Sequence, residues 1–154
     1  VLRWLPGGRS PAVGGLAVLI LLAAPLCAQA PAGLVAAASS DAWQRAAVAA
    51  RRAGYDFADV RTDRVYIQAP GARLRKAEVP EGAVILRPRS LDRAADSLID
   101  FAVDEKYGGD RALKLAIKAV NRLLGKQRES LGQLRSENKI SAAQEVEIAR
   151  RLLE

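Results

Sequence analysis

Apolar residues recur at helical spacing most clearly between residues 110 and 126. One face of this segment carries Leu113, Ile117, Val120 and Leu124, with Ala116 and Leu123 beside them. The other face is basic and consists of Arg111, Lys114, Lys118, Arg122 and Lys126. Asp110 precedes the segment, and its side chain can accept hydrogen bonds from the first free backbone N–H groups. The pattern therefore predicts an amphipathic helix, in which Gly125 weakens the last turn.

The same spacing predicts helices elsewhere, over residues 41–53, 90–107, 127–137 and from 141 to about 153. Ser40 or Asp41 can cap the first of them, and Ser90 can cap the second. Ser141 and Gln144 have the spacing of a capping box, in which each side chain binds the other residue's backbone N–H. The chain is thus rich in helices with defined starts.

Residues 55–89 have a different character, with β-branched and aromatic side chains in 60–69 and 83–87. Pro70-Gly71 and Pro80-Glu81-Gly82 are turn signals between these runs. This region predicts two or three short strands, a small meander being one arrangement. The predicted fold class is α+β and mainly α, with one helix, a short β insert and then three or four helices. We expect a small α+β domain over 41–127, followed by a helical hairpin tail over 128–154.

Residues 1–30 have the order of a secretory signal, with two arginines, an apolar run and small residues. The apolar run over 16–26 is shorter than the roughly 20 residues that a membrane span needs. A linker of small residues is expected over 31–40. The segment predicts export to the periplasm or beyond, or an anchor in the inner membrane if it is not cleaved.

Composition narrows the chemistry that the chain can perform. There is no histidine, and the single cysteine, Cys27, lies in the expected signal. No phosphate loop, dinucleotide-binding fingerprint, nucleophile elbow or metal motif is visible in the sequence. We therefore expect no enzymatic activity and no cofactor. The net charge of +7 permits contact with anionic surfaces, and no nucleic-acid partner is expected.

A second stripe consists of carboxylates that recur every four residues, at Asp92, Asp96, Asp100 and Asp104. A metal site or a catalytic pair could use such groups, but calcium loops take their ligands from tight turns and not from a straight helical stripe. Gly108-Gly109 would let this helix fold back on the basic one. The two stripes are then expected to pair with each other, the rival being a basic face that points outward and binds lipid or polymer.

The last 26 or so residues have a recurring order of apolar, turn and charged positions. Leu131 and Leu134 precede a turn that exits at Ile140-Ser141, Glu145 follows, and Arg150 stands before Leu152-Leu153. This order resembles the short C-terminal oligomerisation hairpin called SHOCT, with Asn138 where glycine is usual and Val146 where an aromatic residue is usual. The resemblance implies self-association without catalysis. Its candidate contact residues are Leu131, Leu134, Ile140, Val146, Leu152 and Leu153.

These observations favour an exported bacterial protein that binds or assembles through helical faces, with itself or with another envelope protein. The alternative is a peripheral binder of an anionic surface, such as lipid headgroups or cell-wall polymer. Its candidate contacts are the five basic residues of 110–126. A small hydrolase of unrecognised type is the third hypothesis.

Overall fold

The structure, a computed structural model, describes residues 33–153, and the expected signal segment over 1–30 lies outside them. Within this range there are four α-helices: α1 (Asp41–Arg52), α2 (Ala94–Tyr107), α3 (Arg111–Ser136) and α4 (Ala142–Leu153). Three short strands complete it: β1 (Leu34–Ala36), β2 (Val65–Gln68) and β3 (Val84–Leu86). The predicted α+β class, dominated by helices, is confirmed.

The predicted caps explain where three of the helices begin. The Ser40 hydroxyl accepts from the Trp43 N–H at 3.1 Å, and a carboxylate oxygen of Asp110 accepts from the Ala112 N–H at 2.8 Å. Ser141 and Gln144 form the expected capping box. The second helix differs from the prediction, since residues 91–93 form a 3-10 turn before it and no side chain caps it.

The sheet is more complex than a meander. Strand β1 pairs with β2 antiparallel, whereas β2 pairs with β3 parallel, with Val65 opposite Val84. Parallel neighbours cannot be joined by a tight hairpin, so residues 69–83 must cross over between them. The expected linker over 31–40 is also corrected, because Leu34 and Ala37 in it are buried and residues 34–36 form the edge strand β1.

The core lies where α1, α2 and α3 meet over one face of the sheet. Ala46, Ala49 and Ala50 of α1 are fully buried, and these small side chains let the neighbouring helices approach closely. Larger side chains fill the rest, among them Leu98 and Ile117, both at 0% exposure. Burying each such side chain contributes about 1.5–3 kcal/mol to folding.

Helix α3 is one continuous helix of 26 residues, and not the two stretches expected over 110–126 and 127–137, the first weakened at its end by Gly125. A glycine inside a helix costs about 1 kcal/mol relative to alanine. The burial of Ile117 before it and Leu131 after it exceeds this cost. The predicted domain boundary at 127/128 therefore lies within a helix.

Helix α4 folds back along the end of α3. Asn138 adopts the left-handed backbone in the turn, with φ of 56°, as asparagine can. Arg135 binds Glu145 at 2.9 Å across the two helices. At the far end, one guanidinium nitrogen of Arg52 in α1 donates to the carbonyl oxygens of Arg151 and Leu152, at 3.2 and 2.5 Å. A cation there also opposes the negative end of the helix dipole.

We predict that Arg52→Ala loosens the last turn of α4 without changing the core. The two carbonyl groups lose their charged donor, so amide exchange in the C-terminal half of α4 should quicken by about three- to tenfold. Hydrogen exchange measured by mass spectrometry would show this, with α2 peptides unchanged. Arg51→Ala is the matched control, because Arg51 is an equally exposed neighbour. Equal effects of the two substitutions would contradict the prediction.

Candidate functional site

Helix α3 presents three distinct faces along its first four turns. Leu113 and Ile117 enter the core, and Val120 and Leu124 are half-buried against it. A second face meets α2 through charged side chains. A third face is exposed and apolar, and it was not expected from the sequence. Two of these faces, and the cavity at their end, form the candidate site.

The charged face forms a ladder of three ion pairs between α2 and α3. Lys114 Nζ lies 2.5 Å from Asp104, Lys118 Nζ lies 2.6 Å from Asp100, and Arg122 Nη2 lies 3.8 Å from Asp96. The Asn121 amide also donates to Asp96 at 3.2 Å. The expected pairing of the two stripes is thus present. It removes the Lys114 and Lys118 side chains from the surface, since they are only 21% and 19% exposed.

The ladder stops one rung early. By its four-residue spacing, the next rung would join Asp92 to Lys126. These two side chains form no ion pair within the described range, and both line a cavity of about 580 Å³ instead. The cavity is bounded by α1, by the start of α2 and by the middle of α3. Of the five predicted basic contacts, Arg111, Arg122 and Lys126 are therefore the ones exposed to solvent.

The third face of α3 is a stripe of small and apolar residues, here called the outer stripe. It consists of Ala112, Leu115, Ala116, Ala119 and Leu123, all exposed. Leu115 and Leu123 expose 59% and 56% of their surface. Ala116 and Leu123 were expected beside the core face and lie outside it. The helical spacing of the alanines in the sequence could have indicated this second apolar face. Spacing alone does not tell which of two apolar faces of a helix packs against the core.

The hairpin residues divide into buried and exposed ones. Leu131 is buried, whereas Leu134, Ile140 and Leu152 are half-buried, and the side chain of Leu153 lies outside the described part. Val146 points outward with 68% exposure. Self-association through this hairpin stays a prediction, for which Val146 is the outward contact.

Charged side chains close in sequence form hydrogen bonds with each other in the hairpin. Hydrogen bonds from Arg150 and Arg151 lower the pKa of Glu147, and hydrogen bonds from Lys139 and Gln133 lower the pKa of Glu137. These carboxylates hold their proton less tightly because their neighbours stabilise the charged form. Both groups are solvent-exposed, so the effect is local.

Between residues 33 and 153, no three carboxylate or thiol side chains converge as a metal site would require. None of the helices described there is both long and apolar enough to traverse a bilayer. The carboxylates of α2 are instead used in the ladder.

Comparisons with protein-family models, with curated proteins and with solved structures return no match for this chain.

We predict that Lys118→Glu destabilises the protein and that adding Asp100→Lys restores most of the loss. The single change places a carboxylate beside Asp100, and for a partly exposed pair the cost should be about 1 kcal/mol. Urea unfolding followed by circular dichroism measures it. Lys126→Glu, on the same helix but outside the ladder, should change the free energy of unfolding by only a few tenths of a kcal/mol. A double variant no more stable than Lys118→Glu would show that the pair contributes no coupling.

Proposed function

We propose that the protein is a non-enzymatic binding protein of the cell envelope that recognises a partner helix with its outer stripe. The observation that carries this proposal is the exposure of Leu115 and Leu123 on a helix whose other faces are already packed. Location outside the cytoplasm is part of the proposal and is supported by the signal-like pattern of residues 1–30.

The shape of the outer stripe suits a helix. Leu115 and Leu123 are eight residues apart, which corresponds to about 12 Å along a helix axis. Alanines 112, 116 and 119 lie around and between them, so the surface has two ridges with a shallow depression. Side chains of a second helix can enter such a depression at the usual interaxial distance of roughly 8–10 Å. A contiguous apolar stripe of this kind is typical of an interaction surface.

Charge indicates the chemistry of the partner. Arg111, Arg122 and Lys126 all follow one side of the outer stripe at helical spacing. A second copy docked antiparallel on this stripe would bring these cations close to their own counterparts, which is unfavourable. The stripe therefore suits a helix of another protein that carries acidic residues beside its apolar face.

The inventory of reactive groups also supports binding over catalysis. The sequence lacks histidine, and Asp96, Asp100 and Asp104 are committed to ion pairs. A carboxylate that serves as an ion-pair partner is poorly placed to exchange protons with a substrate.

We predict that a photo-crosslinking amino acid at position 115 or 123 captures one protein in intact cells. The same group at Leu91 is the control, because Leu91 is 62% exposed and lies in the 3-10 turn before α2, outside the stripe on α3. Adding Ala119→Glu should abolish capture at both stripe positions, since it places a charge in the depression. Mass spectrometry of the adduct would identify the partner and its acidic helix.

Three other outcomes would contradict the proposal that the outer stripe binds a helix of another protein. Equal capture at position 91 would show non-specific contact. Adducts between two copies, together with a doubled molar mass by light scattering, would indicate self-association. Flotation with anionic but not zwitterionic vesicles, lost at high salt, would favour the alternative of an anionic surface. The exposed Arg111, Arg122 and Lys126 are the observation behind that alternative.

A further inference from the structure

The cavity at the open end of the ladder has walls from three helices. Helix α1 contributes Arg45 and Val48, the 3-10 turn before α2 contributes Asp92 and Arg93, and α2 contributes Asp96. Helix α3 supplies the remaining wall, from residue 121 to residue 129. Its volume of about 580 Å³ lies within the range of small-molecule sites. Most of the wall stands on α-helices, so the backbone positions of these side chains are fixed by the packing of α1, α2 and α3.

Cations outnumber carboxylates around this cavity. Five basic residues line it, against three acidic ones: Arg45, Arg93, Arg122, Lys126 and Arg128, against Asp92, Asp96 and Glu129. Arg122 reaches Asp96, which the Asn121 amide also binds. Inside residues 33–153, the other four cations form no ion pair. The cavity thus carries an excess of positive charge at the position where Asp92 and Lys126 do not form an ion pair.

Arg45 adds a donor that has no acceptor. Its Nε atom is buried, and it has no hydrogen-bond partner in the structure as described. Buried polar groups are nearly always paired, and Arg45 also lines the cavity, so a small shift of its side chain would let this N–H donate to an acceptor bound there.

A second, smaller cavity of about 240 Å³ adjoins the first, because Arg93, Asp96 and Arg122 line both. It adds Arg87 and Arg89 from the segment between β3 and α2. Five cations face two carboxylates here, and one of these, Asp100, is bound to Lys118. Two neighbouring cationic cavities that share their arginines match a ligand with two adjacent anionic groups.

We propose that these adjoining cavities bind a phosphate-bearing ligand with two adjacent phosphate groups, such as a pyrophosphate ester. The shared carboxylate of Asp96 is already bound by Arg122 and Asn121, which reduces its repulsion of such a ligand. Guanidinium groups bind phosphate oxygens with two parallel hydrogen bonds, which favours phosphate wherever several arginines converge. Arg93 and Arg122 would lie between the two phosphates, and Arg45 would donate its buried N–H to one of them. Val48 and Leu124 provide an apolar wall for the organic part. This site does not depend on the outer stripe.

The test uses inorganic pyrophosphate as the probe, titrated into the full chain by isothermal calorimetry. Binding should saturate at one per chain and be tighter than that of orthophosphate, because pyrophosphate has a second phosphate that can contact the arginines shared by the two cavities. Arg93→Ala should weaken it about tenfold, as loss of a charged donor to an anion commonly does. Arg111→Ala removes the same charge from a site outside both cavities, and it should change the affinity less than twofold.

Arg45→Lys tests the buried donor without altering net charge. It keeps a cation in α1 but removes the Nε donor, and we expect weaker pyrophosphate binding together with a thermal unfolding midpoint that is unchanged or raised, because the unpaired buried donor is gone. Competition by vesicles of phosphatidic acid, but not phosphatidylcholine, would assign the phosphate to a lipid headgroup. No competition would assign it to a soluble ligand.

Three results would overturn the site. Pyrophosphate could fail to bind at millimolar concentration. Arg93→Ala and Arg111→Ala could weaken binding equally, which would mean that only net charge matters. Sodium chloride at equal ionic strength could abolish pyrophosphate binding completely, which would mean simple screening.

Discussion

The antiparallel packing of α2 against α3 positions the ladder, the cavity and the outer stripe. The turn between them is short because Gly108 and Gly109 both adopt positive φ, of 66° and 78°. A side chain at position 109 would meet the Asp104 carboxylate at 2.8 Å, and this carboxylate binds Lys114. The absence of a side chain at Gly109 therefore leaves room for the Asp104–Lys114 ion pair, and this pair in turn holds the two helices at the turn. With the turn fixed, Leu98 and Ile117 enter the same core, and the remaining rungs follow at four-residue intervals.

Local features of the fold could be predicted because they depend on residues close in sequence. The caps at Ser40, Asp110 and Ser141 and the left-handed Asn138 each follow from a side chain within three or four positions of its partner or from its own backbone preference. The three formed rungs of the ladder were also predictable, since two stripes of equal spacing on adjacent antiparallel helices can lie side by side.

Non-local features could not be predicted in this way. Strand β1 is only three residues long, and nothing in Leu34–Ala36 shows that it pairs with Tyr66–Gln68, from 30 to 34 positions away. The parallel pairing of β2 with β3 could not be predicted either, because Val65 and Val84 are opposite each other only after residues 69–83 have crossed over. For the candidate site, Arg45 and Arg128 belong to helices far apart in sequence, so only the packed structure shows that they line one cavity. The outer stripe was missed because its periodicity resembles that of a core face.

At the end of the ladder, the four-residue pattern of ion pairs is no longer followed. Three rungs are formed, yet the fourth pair of residues, Asp92 and Lys126, is in place by spacing and does not join. Nearby, the buried N–H of Arg45 lacks an acceptor, an omission that costs about 1–3 kcal/mol. Exposed ion pairs contribute only about 0–1 kcal/mol each, so the formed rungs offset this cost in part and set register more than stability. Proteins commonly depart from their own local pattern at functional sites. The cationic cavity is therefore better explained by a ligand that neutralises it than by the stability of the empty fold.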